Sequence, residues 1–345
     1  MADSSVGTGG GGQREDWTQV RLHVVTGKGG TGKTSVAAAL ALALASTGRR
    51  VLVAEVEGRQ GLCQVLDVPP LSTTEELVLR VSSGGEVWGV SVEAKAALLE
   101  YLEIFYHLGR AGRILEKVGA IDFATTIAPG VRDVLLVGKV YDAVRRQEGR
   151  SRSVSAPRWR YDAVVLDAPP TGRVGRFLGV NQEVADLARV GPVHGQANDI
   201  TALLTSPSCA VHVVTLLEEM PVQEAADVIE ELRASSVPVG AIIVNQARDP
   251  LLSEEDVAAL SVAGPARADL VAALRGVGGP WDDAAVDALV TEGAGHAARM
   301  RLEDAQFAVV EGLGQPVHVL PPLRDGVDAS GVRVLAQELT DQAIW

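Results

Sequence analysis

Cysteine is scarce in this chain: two in 345 residues, Cys63 and Cys209. They lie far apart, so there is no CxxC pair, no zinc spacing and no disulfide framework. A reducing, cytoplasmic setting is the expectation. Aromatic residues make up 4% of the sequence, too few for a platform on which single-stranded nucleic acid stacks. A net charge of −13 also repels a polyanion, so no nucleic-acid partner is expected. The histidines, at positions 23, 107, 194, 212, 296 and 318, form no HxxxH pattern and no cluster with cysteine, which leaves a transition-metal site unsupported. The longest apolar stretch, Val36–Ala45, is too short to cross a bilayer and reads as a buried helix, so no integral membrane segment is expected. Met1–Asp16 is rich in Gly and Ser with no apolar core. Residues 1–19 therefore read as a disordered tail rather than a signal peptide.

What remains is a globular composition, 47% hydrophobic and 22% charged, sufficient for a sizeable core. Short β-branched runs recur at Leu22–Thr26, Val51–Val56, Val87–Val92, Ala163–Asp167, Val211–Leu216, Ala241–Asn245 and Val317–Leu320, separated by helical patterns. Several are apolar without alternation, as strands buried on both faces of a parallel sheet must be. The predicted fold is α/β, a doubly wound and mainly parallel sheet, with residues 20–345 as one domain and helical insertions at about 93–146 and 253–313. Such sheets bind ligands at the carboxyl ends of their strands, so the informative residues should follow each strand.

They do. After the first strand comes Gly27-Lys28-Gly29-Gly30-Thr31-Gly32-Lys33-Thr34, followed by Ser35 and a strong helix former. This is a phosphate-binding loop in the strand–loop–helix context that gives the motif its meaning. Glycines let backbone N–H groups and the helix N-terminus face phosphate, Lys33 reaches the β- and γ-phosphates, and the Thr34 hydroxyl ligates Mg²⁺. Val164-Val165-Leu166-Asp167 ends in the carboxylate that would hold the same Mg²⁺, with Ala168-Pro169-Pro170-Thr171-Gly172 as a rigid segment close to the γ-phosphate. ATP and Mg²⁺ are the cofactors this arrangement calls for.

Glu57, just past the second strand, is the candidate water-activating base, with Glu55 on the same strand as its competitor. Lys28 is superfluous if Lys33 serves the nucleotide of its own chain. Either it is a solvated loop lysine, or it completes a site on a second subunit as an arginine finger does. Asn245 closes the strand Ala241–Val244, as an adenine-reading carboxamide or a turn residue, and Pro321-Pro322 are placed to wall the base. Glu218 and Glu224 either pair with Lys28 across an interface or cap a helix.

The segments GKGGTGKT, VVLDAPPTGR, IIVNQ and HVLPPL together resemble the arsenical-pump and tail-anchored-protein-targeting ATPases, a deviant Walker A class, and are most similar to its paired actinobacterial members. The resemblance spans roughly residues 20–345. It implies a homodimer or paralogous heterodimer with two ATP sites near the interface, Lys28 reaching the partner's phosphates, and hydrolysis coupled to opening and closing around a protein cargo or partner. It also implies that Asp167–Gly172 act as switch II, Asn245 as the adenine contact and Pro321 as the base-flanking proline.

Departures accompany it. Glu57-Gly58-Arg59-Gln60 stands where the family has Asp-Pro-Ala-His, which moves the carboxylate by a methylene and slows turnover, and Arg173 replaces a frequent His. The metalloid-binding cysteines of the pumps and the CxxC zinc clamp of the targeting factors are missing. Methionine, the adaptable lining of promiscuous grooves, occurs three times. The expected activity is an Mg-dependent ATPase that acts as a nucleotide-driven dimer switch. The alternative is a non-catalytic ATP-binding subunit of a paralogue heterodimer.

Overall fold

The computed structural model describes residues 17–56, 58–106, 129–148, 158–175, 177–178, 192–248, 251, 253, 255–256, 265–278, 281–324 and 326–342. Among them an eight-stranded sheet runs through the molecule: β1 (Leu22–Gly27), β2 (Arg50–Val56), β3 (Glu76–Arg80), β4 (Glu86–Val92), β5 (Ala163–Asp167), β6 (Cys209–Thr215), β7 (Val239–Val244) and β8 (Val317–Val319), in spatial order β3-β4-β2-β5-β1-β6-β7-β8. Every pairing is parallel except that of β3 with β4. The fold is thus the doubly wound α/β class of the phosphate-loop NTPases, with β3 as an antiparallel addition at one edge.

Neighbouring residues on a strand point to opposite faces, and here both faces are apolar. Val24, Leu52, Ala54, Leu166 and Val213 pack into one core layer; Val25, Val51, Val53, Val165 and Val214 pack into the other. The second layer is covered by α1 (Lys33–Ser46), α2 (Gly61–Leu66) and the C-terminal helix over Ala329–Asp341. Helix α1 is apolar all round and buried from Val36 to Ala45, as an enclosed helix has to be. Its alanines let the sheet on one side and the C-terminal helix on the other approach closely. Each fully buried Leu or Val in this layer contributes about 1.5–3 kcal/mol.

The first layer is covered by helices over Pro129–Arg145, Pro192–Leu204 and Glu219–Ala234, numbered α4, α5 and α6 after α3 (Ala94–Tyr106). Within α4, Leu136, Val137, Val140, Tyr141 and Val144 are buried in this layer. Two further helices, α7 (Pro265–Val277) and α8 (Asp283–Gly312), precede β8, and α8 starts where the Asp282 side chain accepts the Ala285 N–H at 2.8 Å. The C-terminal helix is α9. No described helix is long and apolar enough to cross a membrane.

The structure differs from the sequence reading at two places. The expected tail extended to residue 19, yet Trp17–Gln19 form a helical turn and Trp17 is buried, its indole 4.5 Å from the His212 ring. Strand β3 was not anticipated. It is a largely exposed edge strand that lacks alternation and whose apolar run, Leu77–Leu79, is shorter than a buried strand shows.

Candidate functional site

Because β1 lies at the centre of the sheet, flanked by β5 and β6, the turn leaving its C-terminal end sits at the middle of the edge where such folds hold ligands. Two glycines there are required by space. A Cβ on Gly27 would lie 2.2 Å from the Val214 carbonyl oxygen on β6. At Gly32, φ is +88° and a Cβ would lie 2.3 Å from Asn245 Nδ2. Gly29 and Gly30 have the opposite property: a Cβ on either would meet nothing within 4 Å. They front a cavity of about 330 Å³ that Lys33, Thr34, Glu55, Arg59 and Asp167 also line.

The loop is braced from within and without. Thr31 Oγ1 and Lys33 Nζ both donate to the Lys28 carbonyl oxygen, at 2.9 and 3.1 Å. Asn245 Nδ2, reaching in from the end of β7, donates to the Thr31 carbonyl oxygen at 2.8 Å. Asn245 is buried, and its own backbone N–H donates to Thr215 O. Asn245 therefore meets the loop itself. Pro321 and Pro322 follow β8, two strands beyond β6, and are not among the residues lining this cavity. Ser35 is buried in the first turn of α1.

At the cavity floor Thr34 Oγ1 donates to Asp167 Oδ2 at 2.7 Å. Burial pushes the Asp167 carboxyl up to about 6, against the pull of the Thr34 hydroxyl and the Lys33 ammonium. Burial likewise lowers Lys33, an effect Asp167 partly offsets and Arg59 reinforces. Desolvation thus shifts these two opposite charges toward neutrality, and each partly offsets the other. The site fits a magnesium-bound triphosphate on three counts. Gly29 and Gly30 leave open a cradle that side chains would fill, the Lys33 ammonium is buried with a carbonyl as its bonded partner, and a hydroxyl and a carboxylate converge as the hard oxygen donors Mg²⁺ takes.

Glu57 lies outside the described residues. Its competitor Glu55 is buried and occupied: Oε1 accepts the Gln60 N–H at 2.8 Å and Oε2 the Leu62 N–H at 3.2 Å. Gln60 adopts φ +54° and exchanges two hydrogen bonds with the Leu71 backbone, at 3.0 and 2.9 Å. Sequence reading missed this brace. It arises only in the folded turn, where α2 begins without a side-chain cap of its own and its first N–H groups need an acceptor.

Lys28 sits at the rim. Its Nζ lies 3.0 Å from Glu224 Oε1 of the same chain, and Thr171 Oγ1 donates to Glu224 Oε2 at 2.8 Å. Glu218 occupies the N-cap of α6 without a side-chain cap hydrogen bond. Of the two acidic candidates, Glu224 is the one that meets the loop.

Residues 20–196 match the protein family described as anion-transporting ATPase. ATPase BagA of Mycobacterium tuberculosis (strain H37Rv) is 46% identical over 342 residues, with 98% of each chain covered. More distant relatives include ATPase ARSA1 of Chlamydomonas reinhardtii, 24% identical over 297 residues that cover 67% of this chain and 36% of that protein. A putative arsenical pump-driving ATPase of Aquifex aeolicus is 23% identical over 260 residues, 66% of this chain and 80% of its own. The chain belongs to the anion-transporting ATPase family. It is a deviant Walker A member of the arsenical-pump and tail-anchored-targeting group, related to mycobacterial ATPases.

Proposed function

We propose that this family member hydrolyses ATP with Mg²⁺, and that the bound nucleotide governs association with a second copy or a paralogue and thereby acts on a protein cargo or partner. The observation that carries the reading is the convergence of Lys33, Thr34 and Asp167 on one cavity behind a glycine cradle.

In this reading the backbone N–H groups of Gly29–Thr34 bind the phosphates and Lys33 neutralises charge that develops on them. Thr34 and Asp167 would hold Mg²⁺, which would supply further neutralisation of phosphate charge. Glu57 orients the attacking water. Glu55 is the weaker candidate, since it is buried and both of its oxygens are already engaged by the Gln60 and Leu62 N–H groups. Lys28 completes the site of the partner subunit.

Calorimetry with Mg·ATP tests binding, and a phosphate-release assay tests turnover. Lys33→Ala should abolish binding, while Glu57→Gln should keep binding and slow turnover at least ten-fold. Undiminished turnover in Glu57→Gln would remove Glu57 as the base. Wild-type protein that is folded but gives no heat with Mg·ATP would end the reading altogether.

A further inference from the structure

We propose that Glu224 is a latch that holds Lys28 within its own chain, so that association with a second copy requires this carboxylate to let the lysine go. The inference rests on the dimeric ATPase reading and specifies how that site is regulated.

One carboxylate is used at both oxygens by groups from two different segments, Lys28 of the phosphate loop on Oε1 and Thr171 of the helical segment after β5 on Oε2. The carboxylate itself is carried on a fixed platform, because Pro221, Val222 and Ala225 of the same helix are buried against the sheet. Lys28, by contrast, stands on a turn whose next two residues, Gly29 and Gly30, carry no side chain to anchor it. Its ammonium is not needed by its own loop, which is braced through the Lys28 carbonyl by Thr31 and Lys33. Thr171 lies four residues beyond Asp167, so a shift of that segment on nucleotide binding would remove one of the two bonds fixing Glu224.

The strength of the contact suits a latch. The Lys28 and Glu224 side chains are 30% and 34% exposed. A half-exposed pair of this kind biases an equilibrium by about two- to five-fold, enough to raise the threshold for association and weak enough for a triphosphate on a second subunit to displace. The Glu224 carboxyl is held below its ordinary range by the Thr171 hydroxyl first and then by Lys28, so it is ionised and competent to hold the lysine at neutral pH.

Sedimentation velocity of the full chain with Mg²⁺ and a non-hydrolysable ATP analogue tests this, comparing wild type with Glu224→Gln and Glu224→Ala, each first checked for an unchanged melting temperature. Two pairs open when two copies associate, so the expected result is a fall of about four- to twenty-five-fold in the protein concentration at half-association in both variants, with analogue affinity at high dilution unchanged. An unchanged midpoint overturns the latch alone. A raised midpoint overturns it too and places Glu224 across the interface instead. Wild type that binds the analogue without associating overturns both the latch and the dimer reading beneath it.

Discussion

Asn245 and Thr31 are 214 residues apart in sequence, yet the Asn245 carboxamide donates to the Thr31 carbonyl oxygen at 2.8 Å and is buried against the phosphate loop. This contact separates two roles for Asn245 by nucleotide selectivity. A strut that fixes the loop serves every nucleoside triphosphate alike, whereas an adenine reader favours ATP over GTP. Asn245→Ala removes the donor and leaves a buried carbonyl unpaired, a loss of about 1–3 kcal/mol. We expect ATP and GTP affinities, measured by calorimetry, to fall together by ten-fold or more. A loss confined to ATP would show that the carboxamide reads the base.

The same contact predicts the outcome at Gly32. An alanine there must hold φ near +88° and place its Cβ 2.3 Å from Asn245 Nδ2. Two costs coincide, backbone strain of about 1 kcal/mol and displacement of the strut. Gly32→Ala should therefore bind Mg·ATP at least ten-fold more weakly, while its far-ultraviolet circular dichroism matches wild type. Gly30, also at positive φ but with open space around it, should respond less to alanine. Equal losses at the two positions would refute the steric argument.

Asp167 carries a cost without its ligands. It is a half-buried carboxylate that accepts the Thr34 hydroxyl, and its desolvation already pushes it toward protonation. Asp167→Asn keeps an oxygen for the Thr34 hydroxyl and removes the charge. The ligand-free variant should thus be more stable than wild type, on the order of 1 kcal/mol, the usual trade of function for stability. In thermal melts it should also lose the stabilisation that Mg·ATP gives wild type. A variant that melts lower than wild type would mean the carboxylate is well compensated in the free protein.

How much of this was legible beforehand depends on the range of the interaction. Strands β1, β2 and β5 announced themselves because burial on both faces demands uninterrupted apolar residues. The phosphate loop did so because its glycines, one pressed against β6 and two facing open space, recur in a compact pattern between a strand and a helix. Strand β3 was invisible, since an exposed edge strand such as Glu76–Arg80 needs no pattern. Sequence spacing also carries nothing of the Asn245–Thr31 strut, nor of the choice Glu224 makes between partners, because both depend on where distant strand ends meet. Glu55 was readable as a carboxylate near the site but not as an acceptor of two backbone N–H groups, which only the turn into α2 creates.

The last prediction concerns histidines remote from the phosphate loop in function. His23 Nδ1 and His212 Nε2 lie 3.1 Å apart in the core, with Trp17 packed against both rings and His318 alongside Trp17. Burial lowers His23 to about 3, reinforced by Arg49, and lowers His318 to about 4 against a hydrogen bond to Gln342. His212 is driven well below its ordinary value by burial first and then by its two histidine neighbours. In the unfolded chain each takes up a proton near pH 6.5. Between that pH and the depressed folded values the unfolded state binds more protons, so stability falls as pH falls and is fully present only above about 6.5. Each histidine can contribute a slope of up to about 1.4 kcal/mol per pH unit. Urea midpoints should drop steadily from pH 7 to pH 4. In the double variant His23→Leu, His212→Leu, which removes both rings and so strands neither partner, the decline should be markedly shallower. An equal slope in wild type and variant would place the acid sensitivity in the carboxylates instead.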